Sequence, residues 1–87
     1  MKKEDFMNWL TDQQDALTPW TVAVDKENLA NFVVGCFFDN ESATWKVYIN
    51  KERGEHRVRL ETQDEEQAFN KLKRLVEYII ESNREYI

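Results

Sequence analysis

Trp45-Lys46-Val47-Tyr48-Ile49-Asn50-Lys51-Glu52-Arg53-Gly54 is the stretch that decides how this chain folds. From Trp45 to Asn50 it alternates, with Trp45, Val47 and Ile49 on one side and Lys46, Tyr48 and Asn50 on the other. That period of two is the mark of a strand with one buried face. The charged run Lys51-Glu52-Arg53 then meets Gly54, a residue free to take the positive φ that hairpin turns require. Strand-like sequence lies on both sides of this stretch, which places it near the centre of a sheet.

Beyond Gly54, His56, Val58 and Leu60 alternate with Glu55, Arg57, Arg59 and Glu61. The expectation is a strand with one dry and one charged face, set at or near a sheet edge because charge resists further pairing. Before Trp45, the run from Asn31 to Phe38 is apolar on both sides and rich in β-branched and aromatic residues, as an interior strand is. Trp20 to Asp25 alternates again and predicts a first strand. Lys26-Glu27-Asn28 and Asp39-Asn40-Glu41-Ser42 read as polar turns.

Helices flank these strands. Phe6, Trp9, Leu10, Gln13 and Leu17 recur at spacings of three and four, predicting a helix from Glu4 to Leu17 that Thr18-Pro19 stops. Thr62-x-x-Glu65 has capping-box form and opens a second helix, whose face is Ala68, Phe69, Leu72, Leu75, Val76, Ile79 and Ile80. Its tail, to Tyr86 and Ile87, either extends the helix or folds back on the core. The expected fold is α+β: a four-stranded antiparallel meander with N- and C-terminal helices packed on one face, in the order α-β-β-β-β-α, as a single domain of residues 1–87.

Composition narrows the function classes. Eighty-seven residues with 41% hydrophobic content, including three Trp and five Phe, suffice for a small core. The single cysteine, Cys36, rules out a disulfide within the chain and a cysteine-based zinc site. Seventeen acidic residues against twelve basic ones give a net charge of −5. That balance disfavours direct nucleic-acid binding and suits a basic protein partner, or simply solubility. No apolar run is long enough to span a membrane, and the N-terminus is unlike a signal peptide, so the expected compartment is cytoplasmic.

A search for chemistry returns little. His56 is the sole histidine and falls into strand alternation, and no nucleophile–base spacing, phosphate loop or metal-ligand set occurs. The carboxylate pairs Glu4-Asp5 and Asp64-Glu65-Glu66 stand at helix starts, where negative charge has a structural use. No cofactor or metal is expected, and no enzymatic role. The outer sheet face is the more informative surface. It should carry Val33, Phe37 and Tyr48 ringed by Lys46, Arg57 and Arg59, aromatics inside a charged rim as in many interfaces. A second candidate surface is acidic, with Asp12, Asp15, Asp25, Glu27, Asp39 and Glu41.

Trp45-x-Val47-Tyr48 followed by Glu52-Arg53-Gly54 resembles the hairpin of a family of small bacterial immunity proteins that accompany polymorphic toxins, including LXG-type toxins. The likeness extends from an early tryptophan strand at Trp20, through the aromatic strand and the Glu-Arg-Gly turn, to the acidic helix start at Asp64-Glu65-Glu66-Gln67-Ala68-Phe69. It covers roughly residues 20–80. The resemblance implies a non-catalytic protein that neutralises a cognate toxin by occluding its active site or locking an inactive form; a basic, nuclease-like C-terminal toxin domain would suit the acidic surplus. Candidate partner-binding residues are Phe37, Asp39, Glu41, Lys46, Tyr48, Glu52, Arg53, Arg57 and Arg59. The competing reading is an intracellular adaptor or homodimer that associates through the exposed aromatic sheet face.

Overall fold

The alternation that begins at Trp45 becomes a strand at the heart of the sheet. In the computed structural model, β1 (Thr21–Val24), β2 (Val33–Asp39), β3 (Thr44–Asn50) and β4 (His56–Thr62) form one sheet in the order β1-β2-β3-β4. Helices α1 (Lys3–Thr11), α2 (Gln14–Leu17) and α3 (Glu65–Glu85) pack against it. The structure describes residues 1–52 and 55–85, so the readings of Arg53, Gly54, Tyr86 and Ile87 lie outside the described residues. The α+β architecture is the one expected from the sequence, with both terminal helices on one face.

The core lies between that face and the helices. Val34, Cys36, Val47 and Ile49 meet Phe6, Leu10 and Leu17 from α1 and α2 and Phe69, Leu72 and Val76 from α3. Phe69 is the keystone: its ring lies 5.6 Å from those of both Phe6 and Trp45. Burial of side chains this large is each worth about 1.5–3 kcal/mol and lets a short chain fold. Helix α3 begins two residues later than Thr62 suggested. Asp64 is the cap, accepting from the Glu66 N–H at 2.9 Å, while the Thr62 hydroxyl donates to Gln67 Oε1 at 2.7 Å. The N-terminal helix is interrupted at Asp12 and Gln13, whose N–H groups bond three residues back, to Trp9 and Leu10. At its far end α3 is tied to α2 by Asn83, whose Nδ2 donates to the Ala16 carbonyl at 2.9 Å.

Two features depart from the expected meander. The first is that β1 pairs with β2 in parallel, Thr21 opposite Val33 and Val24 opposite Cys36. Parallel neighbours usually need a connection of a dozen residues or more. Here β1 is so short that residues 25–32 suffice to run back along it. The chain reverses sharply at both ends of that crossover, at Asp25 (φ 67°) and Phe32 (φ 58°), left-handed conformations that non-glycine residues seldom take. The polar run Lys26-Glu27-Asn28 is thus the middle of a strap over the outer sheet face, not a hairpin turn. The β2–β3 and β3–β4 pairs are antiparallel as expected.

The second departure is in β4. Val47 faces Leu60 but Tyr48 faces Val58, leaving Arg59 unopposed as a bulge. An extra residue turns the strand over. His56 and Val58 therefore share the outer face with Asn50 and Tyr48, whereas Leu60 joins Trp45 and Val47 in the core. The sequence had placed His56, Val58 and Leu60 on one dry face, but Val58 is 46% exposed. β4 does lie at the edge of the sheet, as its charge suggested.

Candidate binding surfaces

The outer sheet face is built around Tyr48. Its ring packs in a small second core with Ala23 and Val33, and Phe37 meets it edge-on at 5.9 Å. Gly35, directly opposite in β2, supplies the space, because a Cβ there would stand 2.7 Å from Tyr48 Cζ and 2.5 Å from the Ala23 carbonyl oxygen. The ring thereby reaches the crossover. Tyr48 Oη donates to the Lys26 carbonyl at 2.9 Å and accepts from the Asn28 N–H at 3.0 Å. Asn50 adds Nδ2 bonds to the carbonyls of Asn28 and Ala30, at 2.5 and 2.9 Å. His56 closes the cluster: Nδ1 lies 2.5 Å from Asn50 Oδ1, Nε2 lies 3.5 Å from Glu27, and the ring stacks on Tyr48 at 5.1 Å.

This polar cluster fastens the crossover to the sheet. A buried phenol that has committed its one proton and already accepts a bond is not held ready for a ligand. Tyr48 is completely buried, so the expected contact residue is a structural anchor. Phe37 remains half-buried at the rim. Arg57 and Arg59 do not join this face: Arg57 sits opposite Ile49 on the helix side, and Arg59 occupies the bulge. The ring of basic residues imagined around the outer aromatics therefore does not form.

Topology brings Asp25, Asp39, Glu41 and the start of α3 to one end of the sheet, while Glu27 lies at the other, beside His56. Because β1 and β2 are parallel, both strands finish at the first of these ends, at Asp25 and Asp39. β4 also ends there, and α3 begins with Asp64, Glu65 and Glu66. Asp39 Oδ2 pairs with Lys46 Nζ at 2.7 Å, and its Oδ1 accepts from the Glu41 N–H at 2.9 Å. Both bonds hold the Asp39 carboxyl below its usual range, Lys46 contributing most, and the same bond raises Lys46. Lys3 likewise pairs with Asp25. Glu41 is exposed in the β2–β3 turn. Glu52 is exposed at the opposite end of the sheet, beside the β3–β4 connection, and so stands apart from Asp39 and Glu41.

The opposite charge gathers along the β4 edge. Lys51, Arg57 and Arg59 border a depression over Ile49, which continues past Leu75 and Tyr78 to Lys71 and Arg74 on α3. A wider hollow of about 610 Å³ extends it beside Leu60. Among the described residues, Arg57 bonds Glu55 at 2.9 Å, while Lys51, Arg59, Lys71 and Arg74 make no ion pair. The signal on α3 was present in the sequence, since Gln67, Lys71, Arg74 and Tyr78 recur at helical spacing. Only the bulge brings Arg59 beside them.

Cys36 lies on the helix side of β2 and is wholly buried. Burial pushes its thiol up to about 12, with Asp25 and Glu65 adding repulsion. The folded protein at pH 8 should therefore resist a chromogenic disulfide reagent, with a thiolate fraction roughly a thousandfold below that of a free cysteine near 8.5. Reaction at the ordinary rate should appear only on addition of denaturant, and prompt native-state labelling would contradict the buried position. Among the described residues no cluster of His, Cys, Asp and Glu is arranged to hold a metal ion. No helix among them is long and apolar enough to cross a membrane.

No protein-family model matches this chain, and neither does any curated protein or solved structure compared with it.

Proposed function

We propose that this chain is a non-catalytic cytoplasmic immunity protein that binds a cognate bacterial toxin and neutralises it by occlusion. The resemblance of the Trp45–Gly54 hairpin to that family suggests the reading, and the acidic end of the fold supports it. There, Asp25, Asp39, Glu41 and the start of α3 converge from separate stretches of chain. Carboxylates at that end beyond those that Lys3 and Lys46 pair, Glu41 and the start of α3, steer a basic protein partner on approach. A basic, nuclease-like toxin domain is the chemistry that such a surface fits. The rival adaptor or homodimer reading needs an open aromatic sheet face. The crossover covers Tyr48, while Phe37 is half-buried and Val58 is 46% exposed on that face, so this reading has less aromatic surface to rest on.

Gene neighbourhood and co-expression are the direct test: a large toxin-like gene immediately upstream supports the reading, and its C-terminal domain is the partner to co-express. Survival of the cells and co-purification of the two chains are the expected results; neither binding nor rescue would end the proposal. Within a complex, Asp39→Lys with Glu41→Lys should slow association roughly tenfold or more at low salt. The melting temperature should change little, because solvent screens the Asp39–Lys46 pair at the surface. An unaltered on-rate would move the contact away from the acidic end.

A further inference from the structure

The depression along β4 is a consequence of the bulge. With Val58 turned to the outer face, β4 presents Arg57 and Arg59 rather than an apolar side chain on this side, and a depression remains between the sheet edge and α3 above the buried Ile49. Three properties meet there. Its floor is apolar, the ring of Tyr78, 66% exposed, lying beside the buried Ile49 and Leu75. The walls carry Lys51, Arg59, Lys71 and Arg74, none of them ion-paired among the described residues, in a chain whose net charge is −5. The border is the outer edge of β4, which no other described strand occupies.

We infer that this groove binds an acidic, extended peptide segment of a partner protein, laid along β4 as an added strand. Each property assigns a part of the ligand. A free strand edge offers backbone donors and acceptors to an extended chain, the source of affinity in strand addition. Side chains alternate along such a segment, so every second residue points toward α3. Carboxylates there reach the Arg59 and Arg74 guanidinium groups and the Lys71 ammonium, and charge-assisted bonds of this kind are the stronger ones. An apolar residue at the α3-facing position between two such carboxylates packs against the exposed ring of Tyr78. Nucleic acid fits less well. Its affinity rests on many phosphate contacts along a continuous basic track, whereas these cations end at the acidic start of α3. The groove lies away from Asp39 and Glu41, so this inference stands whether or not the acidic end binds a toxin.

Fluorescence anisotropy of a labelled Glu-Thr-Glu-Thr-Val-Thr-Glu-Thr-Glu peptide, which puts four carboxylates and one apolar side chain on the same face of a strand, titrated with the full chain, tests it. The peptide should bind and should weaken at least tenfold between low and moderate salt, while its Lys-for-Glu counterpart should not bind. Lys71→Glu with Arg74→Glu should weaken binding tenfold or more, and Lys71→Arg with Arg74→Lys should largely retain it. Asp39→Lys should leave it within about twofold, apart from a small general charge effect. Backbone amide shifts on binding should concentrate at residues 57–60. Failure of the acidic peptide to bind, equal binding by the basic peptide, tighter binding of an oligonucleotide, or indifference to the α3 charge reversals would each overturn the inference.

Discussion

Gly35→Ala should cost about 3 kcal/mol and lower the melting temperature by roughly 12–24 °C, although it adds one methyl group. The new Cβ would meet the Ala23 carbonyl oxygen at 2.5 Å, Tyr48 Oη at 2.5 Å and Tyr48 Cζ at 2.7 Å. None of these can yield cheaply. Ala23 is held in its parallel pairing with β2, and Tyr48 is fixed by bonds to Lys26 and Asn28. The protein must either spread β1 from β2 or expel the tyrosine. Thermal or urea unfolding monitored by circular dichroism measures the loss, and a variant as stable as the parent would show that the sheet relaxes more easily than these contacts allow. Combining it with Tyr48→Ala should give less than the sum of the two effects, because one ring is at stake in both.

Tyr48→Ala should itself cost about 3–5 kcal/mol, as expected for removing a fully buried aromatic ring. Tyr48→Phe separates the packing from the hydrogen bonds. It keeps the ring but leaves the Lys26 carbonyl and the Asn28 N–H without their partner, at about 1–3 kcal/mol. Hydrogen exchange at the Asn28 amide should then accelerate more than exchange in α3, since the crossover would be released before the core. Burial also raises the Tyr48 pKa, outweighing the opposing bond from Asn28. The unfolded phenol ionises near pH 10 while the folded one holds its proton, so stability should fall as pH climbs above about 10. Tyr48→Phe should flatten that part of the profile. A normal melting temperature for Tyr48→Ala would mean that the ring is not the anchor described.

Much of this was legible in residue spacing. Trp45 to Asn50 reads as a strand because hydrophobic burial on one face demands that alternation, and Phe69, Leu72 and Val76 fall on the helix face that their period assigns. The interior position of Val33 to Phe37 followed from having no polar side. The direction of β1 was not legible, because Lys26-Glu27-Asn28 has the composition of a turn and its actual partner, the Tyr48 hydroxyl, is distant in sequence. Nor does anything local mark Arg59 as unopposed: His56, Val58 and Leu60 satisfy alternation perfectly well as written. The charge separation was hidden for the same reason. Net charge and local runs are properties of the sequence, but which end of the sheet receives Asp25 depends on the hand and direction of its neighbours.

The bulge at Arg59 divides β4 into two stretches that answer to different neighbours. His56 and Val58 are bound by what the crossover and Tyr48 require, while Leu60 and Thr62 are bound by what the core and the start of α3 require. A change in one stretch therefore need not be matched in the other, and the two faces of the sheet are free to diversify separately. Deleting Arg59 would close the bulge into regular pairing and leave His56 and Val58 on the outer face, whereas pairing Arg59 with Tyr48 would carry both into the helix layer.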